Sequence, residues 1–258
     1  MNYYIYYIYF IIGLIEIINA IVVKNENDIL NNLSKSEDEV TLNINSEIDI
    51  TKEINISSSI QKLSIIGNSL NSSKINLRHL LYFNSTIKEI EIKNIYVNGN
   101  LLFNNNEKVT INTVNLNGYI DSNFNKKSNN DIEITKLVYK PTDESLTNCI
   151  NLSGNIKINK SKFYGNSSCK NRLLHYNGFE RYTFDIKESS FNGEYECPFL
   201  SIENVLNANI ETSYFEKGYS SRNNDGGYIN KRKKISLLLL KPFFIITYFH
   251  YLLIIKFL

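Results

Sequence analysis

From Val40 onward apolar and polar residues alternate with a period of two. VTLNI, EIDI and EINIS each read as a short strand with one buried and one solvated face. No sustained 3.6-residue apolar period follows before Tyr228. The clearest stretch, NIKINKSKFYGNSSC at 155–169, returns 28 residues later as TFDIKESSFNGEYEC at 183–197. Aligned on the second apolar residue of this phrase, the chain shows anchors at Ile65, Ile92, Ile111, Ile134, Ile158, Ile186 and Ile210, spaced by 27, 19, 23, 24, 28 and 24 residues. An apolar residue lies two before each anchor, from Leu63 to Ala208. Five after come Leu70, Val97, Leu116, Tyr139, Phe163, Phe191 and Phe215, and seven after come the turn formers Gly99, Gly118, Pro141, Gly165 and Gly193. Three after, Ile95, Val114 and Leu137 give way to Ser161, Ser189 and Ser213. A second apolar strand precedes several of these frames, in LLYFN, LLFNN, CINLS, RLLHYN and PFLSIEN.

A unit of 20 to 30 residues built from short strands and Asn, Gly or Ser turns is the mark of a solenoid, in which no coil buries its inner face alone. IKEIEIKNIYVNGN superficially fits a leucine-rich repeat. That family, however, needs Asn or Cys three residues after the last strand apolar, and only Asn68 among seven such positions complies. Stacked Phe and Ser with Gly turns instead resemble the right-handed parallel β-helix of pectin-lyase-like proteins, over roughly residues 40–230. The expected fold is therefore all-β, a single right-handed parallel β-helix of about seven coils rising about 4.8 Å each. Val97, Leu116, Tyr139, Phe163, Phe191 and Phe215 would form its core ladder. Carbohydrate-active members of that group carry N-T-D, D-D, G-H-G and R-I-K elements or clustered Asp, and this chain has none of these.

The ends have a different character. Residues 1–20 are apolar and aromatic and finish on Ala20, as a secretory signal peptide does. Residues 21–39 read as a lead-in or N-terminal cap. Residues 231–258 join the basic KRKK to an apolar tail broken by Lys241, Pro242 and His250. That tail is open to three readings: a membrane segment through 235–258, a buried cap, or a truncated gene end. Asn223–Ile229 reads as the start of an eighth coil.

Composition supports the strand reading, with 40 Asn for turns and 38 Ile for strands. A net charge of +2 gives no electrostatic case for nucleic acid. Cys169 and Cys197 both lie eleven residues after their anchors, so neighbouring coils place them within disulfide reach or stack them as two free thiols. Cys149 is left over. His79, His175 and His250 have no partner at ligand or catalytic spacing, and no cofactor or metal motif occurs. Sequons stand at Asn32, Asn55, Asn71, Asn84, Asn151, Asn159 and Asn166, about the number chance supplies in so Asn-rich a chain. The sequence thus suggests a secreted or cell-surface binding or structural module without catalysis, contacting polysaccharide or a surface protein. The alternatives are a degenerate or truncated carbohydrate-active enzyme of the pectin-lyase-like kind and a membrane-tethered surface protein.

Overall fold

The structure, a computed structural model, describes residues 20–125, 129–142, 146–218 and 229–232. It is a parallel β-solenoid of about eight turns, in which each coil contributes up to three strands and every pairing is parallel. The signal segment and the apolar tail lie outside the described residues.

The first stack holds Ala20–Val23, Glu39–Ile44, Lys62–Gly67, the first halves of Glu89–Asn98, Lys108–Asn117 and Asp131–Lys140, then Asn155–Asn159, Thr183–Lys187 and Asn207–Glu211. All seven predicted anchors fall on one another: Ile65 pairs with Ile92, then Ile111, Ile134, Ile158, Ile186 and Ile210. The row extends further towards the N-terminus than the sequence reading placed it, through Leu42 to Ile21.

The second stack carries the core ladder. Val97, Leu116, Tyr139, Phe163, Phe191 and Phe215 pair in that order, all buried except the partly buried Phe215. Ring centroids of Phe163 and Phe191 lie 4.6 Å apart, and those of Phe191 and Phe215 4.9 Å. This near-parallel stacking follows from one aromatic per rung at the strand spacing. Ile75, not Leu70, occupies the rung before Val97. That coil turns through residues 68–73, where the Ser73 hydroxyl accepts the Asn68 amide at 2.8 Å, so the inward residue falls later.

The third stack, Leu81–Phe83, Leu101–Asn104, Ile120–Asn123, Leu146–Ser153, Cys169–Asn177, Leu200–Glu203 and Ile229–Arg232, contains the five shorter strands read from sequence. It also contains Ile120–Asn123, whose single apolar residue hid it, and Ile229–Arg232, the predicted start of a further coil.

From the Ile92 coil to the Ile210 coil, the chain bends between the first and second stacks on one residue, two after the anchor. Asn94, Thr113, Lys136, Lys160, Glu188 and Thr212 all have left-handed backbone, with φ between 48° and 56°. Only Asn favours that region, and for the others it costs about 1 kcal/mol or more each. The next residue decides how the corner is finished. Where it is Ile95, Val114 or Leu137, one ten-residue strand runs through the bend. Where it is serine, the strand breaks. Ser161, Ser189 and Ser213 each donate a hydroxyl hydrogen bond to the carbonyl two residues earlier, at 2.9, 2.8 and 2.8 Å. Each also accepts the amide of the same position one coil earlier, Leu137, Ser161 and Ser189, at 3.1, 3.1 and 3.2 Å. A side-chain ladder thus replaces backbone partners at this corner.

At the N-terminal end the lead-in resolves into the strand Ala20–Val23 and an amphipathic helix, α1 (Glu26–Leu33). Asn25 caps it by accepting the Asp28 amide at 3.0 Å. The Glu26 carboxylate accepts the amides of Thr51 and Lys52 at 2.6 and 2.7 Å, tying α1 to the first coil. Ile29 and Leu33 cover the core there, as an open solenoid end requires.

The cysteines differ from expectation. Cys169 is bonded to Cys149, with Cα atoms 5.2 Å apart, and Cys197 is a free buried thiol. Equal spacing from the anchors does not give equal height, because the two turns differ. After Gly193 the chain passes through left-handed Glu194 and Tyr195. No residue from Asn166 to Ser168 has positive φ, and Cys169 opens a strand. Cys197 therefore packs its sulfur against Gly165. One extra residue in the strand Cys169–Asn177, opposite Leu146–Asn148, accompanies the contact of Cys169 with Cys149.

Ser189→Ala leaves the Ser161 amide and the Lys187 carbonyl without these partners, and the expected loss is about 1–3 kcal/mol in urea unfolding. A loss within error would refute the serine ladder's role. Gly165→Ala would drive its new methyl group into Cys197 Sγ and should lower stability by about 1–3 kcal/mol. Adding Cys197→Ala should recover most of that loss, whereas strict additivity in the double-mutant cycle would contradict the contact.

Candidate functional site

Because rungs stay in register, outward side chains form rows one coil apart, about 4.8 Å per step. On the first stack, three residues before each anchor, one row reads Glu39, Lys62, Glu89, Lys108 and Asp131, alternating in sign. Lys62 Nζ lies 3.5 Å from Glu39. Such alternation avoids stacking like charges directly opposite each other. One residue before the anchors run Ser64, Glu91, Thr110, Glu133, Lys157, Asp185 and Asn209. Two shallow depressions on this face share Lys108 and Glu133, and together form a groove from Lys62 to Thr183. At its far end burial pushes the Asp185 carboxyl above its ordinary value, with Lys157 opposing and Glu211 adding to the shift. Among the described residues no aromatic, His or Cys lines the groove.

The third stack presents a different surface. Its outward row reads Tyr82, Leu102, Asp121, Asn151 and His175 and ends on Ser201, which is buried. Sequence spacing concealed this constellation, since its members lie 19 to 30 residues apart and meet only through the strand register. Burial raises the Asp121 carboxyl pKa, opposed by a hydrogen bond from the Ser122 amide. Burial lowers that of His175, with Glu203 opposing and Arg172 reinforcing. Ser201 Oγ donates to Glu203 Oε1 at 3.4 Å, and Asn148 Nδ2 donates to Asn151 Oδ1 at 2.9 Å.

The histidines do not converge. His79 is exposed on a bend, His175 stands in the row above, and His250 lies outside the described residues. Among the described residues no three His, Cys, Asp or Glu form a metal-binding group, and no helix is long and apolar enough to cross a membrane. Of the sequons, Asn55 and Asn71 are exposed. Asn32 is closed to a glycan in the folded chain, because it is buried and its amide donates to the Asp28 carbonyl at 2.7 Å. Asn84, Asn151 and Asn166 are half-buried and accept hydrogen bonds from Thr86, Asn148 and Ser168, while Asn159 is half-buried on the first face. Compared with known family models, curated proteins and solved structures, the chain matches none.

The two titrating residues of the row have opposite effects on stability. The folded state holds the Asp121 proton to higher pH than the unfolded chain does, so this residue costs stability as pH rises past about 4. Asp121→Asn should therefore unfold at higher temperature than the parent at pH 7, with the gap closing by about pH 3. For His175 the unfolded chain takes up the proton first, so stability falls as pH drops through about 6.5. His175→Gln should flatten that slope in calorimetry, and an unchanged pH profile in both variants would refute the assignment.

Proposed function

We propose that this chain is a secreted or cell-surface binding module, without catalysis, whose groove on the first stack holds an extended partner polypeptide. The observation that carries the reading is the groove itself, which is continuous over several coils and lined by Lys62, Lys108 and Lys157 interleaved with Glu89, Glu91, Asp131 and Glu133. Charges of both signs at one-coil intervals suit another protein surface better than a polyanion, which the acids would repel. The Cys149–Cys169 bridge suits an oxidising compartment, and exposed sequons at Asn55 and Asn71 are compatible with passage through one. Kinship with pectin-lyase-like proteins belongs to the same proposal and rests on the stacked Phe163, Phe191 and Phe215 and on the one-residue corners.

Two measurements test the reading. Protease shaving of intact source cells should release peptides of the chain, and purified full-length protein should bind those cells. Lys108→Glu with Lys157→Glu should weaken that binding about fivefold or more, as removal of complementary charge does. Equal binding by the reversed variant refutes the groove, and failure of shaving refutes surface exposure. Release of reducing or unsaturated sugars from pectin would favour a carbohydrate-active enzyme instead.

A further inference from the structure

We propose that the outer face of the third stack is a second binding site, for a neutral glycan laid along the solenoid axis. The row there is chemically unlike the groove. Tyr82, Leu102, Asp121, Asn151, His175 and Ser201 follow one another in register and include no lysine. Beside them run Asn104, next to Tyr82, and Asn177 and Glu203, next to His175 and Ser201. The groove presents a charged group on nearly every rung, whereas this face presents a ring, an aliphatic side chain and then a run of hydrogen-bonding groups.

That sequence of groups matches one ligand class. A sugar ring has an apolar face and a hydroxyl rim, and successive rings of an extended glycan repeat at about the length of one coil. Tyr82, 40% exposed at the N-terminal end of the row, supplies an aromatic surface for the apolar face. Its hydroxyl is already oriented by Asn104 Nδ2 at 2.6 Å. Asp121 offers a carboxylate acceptor, Asn151 offers donors and acceptors, and half-buried His175 favours its neutral form, so the row accepts and donates without a strong cation to select a polyanion. Ser201, buried and bonded to Glu203, closes the row without reaching the ligand. The nearest cations stand off the row itself, Arg172 on the strand of His175 and Arg232 opposite Glu203.

A second observation points the same way. Asp121 is half-buried between Leu102 and Asn151 and, among the described residues, forms no ion pair within 4 Å. A carboxylate in that position works against folding, because the one hydrogen bond it accepts, from the Ser122 amide, does not offset its burial. Ligand hydroxyls would add the further donors that a two-oxygen carboxylate can still accept. Asparagine would stack as well on Asn151 and carry no desolvation cost, so a carboxylate here makes sense for what lies outside the chain.

The experiment is calorimetric titration of the full-length protein with cellohexaose, chitohexaose and laminarihexaose, with hexagalacturonate as the acidic comparison. At least one neutral hexasaccharide should bind, and its trisaccharide should bind about tenfold more weakly because it spans fewer rungs. Asp121→Asn and Asn151→Ala should each weaken binding about fivefold or more. For Asp121→Asn this loss should accompany the gain in thermal stability, a combination that damage to the fold does not produce. The proposal is overturned if none of the three binds at millimolar concentration, if binding survives both substitutions, or if hexagalacturonate binds as tightly. The site is independent of the groove, so a failure here leaves the reading of the groove as it was.

Discussion

Everything in this molecule depends on parallel strands staying in register from coil to coil. A parallel rung has backbone donors and acceptors on both sides, and each must be met by the rung before and the rung after. Once the register is set, like positions stack on like. Inside, this produces the isoleucine row from Ile65 to Ile210 and the ladder that ends in Phe163, Phe191 and Phe215. Outside, the same rule would stack charge on identical charge, and the sequence answers with alternation from Glu39 to Asp131.

The corner between the first two stacks shows how one side chain redirects this ladder. Apolar residues at Ile95, Val114 and Leu137 let the strand continue through its bend. From Ser161 on, a hydroxyl takes over both a donor and an acceptor role, and the strand divides in two. The core volume released by the smaller serine coincides with the arrival of Phe at the ladder position two residues later. Tyr139, the last ladder residue before the switch, satisfies its buried hydroxyl on the Gly118 and Cys149 carbonyls.

Much of this could be read from the chain, because strict period-two alternation with one Ile per rung leaves little freedom for the register of the first stack. What escaped the reading had physical reasons. Ile21 escaped as a rung because α1 separates it from the alternating stretch that begins at Val40. Leu70 lost its place to Ile75 because the turn at 68–73 is longer than the one-residue corner. The partner of Cys169 was decided by left-handed Glu194 and Tyr195, which are not residues that announce that conformation. The third-stack row was invisible because Asp121, Asn151, His175 and Ser201 become neighbours only through cross-strand pairing.

The stack of left-handed corners also bears on inheritance. Asn94, Thr113, Lys136, Lys160, Glu188 and Thr212 share one backbone bend despite having four different side-chain types. The bend belongs to the coil rather than to the residue, and a coil copied elsewhere along the rod would find it already in place. The near-duplicate phrases at 155–169 and 183–197 look like such a copy. A chain of this kind can lengthen or shorten by whole coils while its interior stays the same, and only its outer rows need to be rewritten for each new partner.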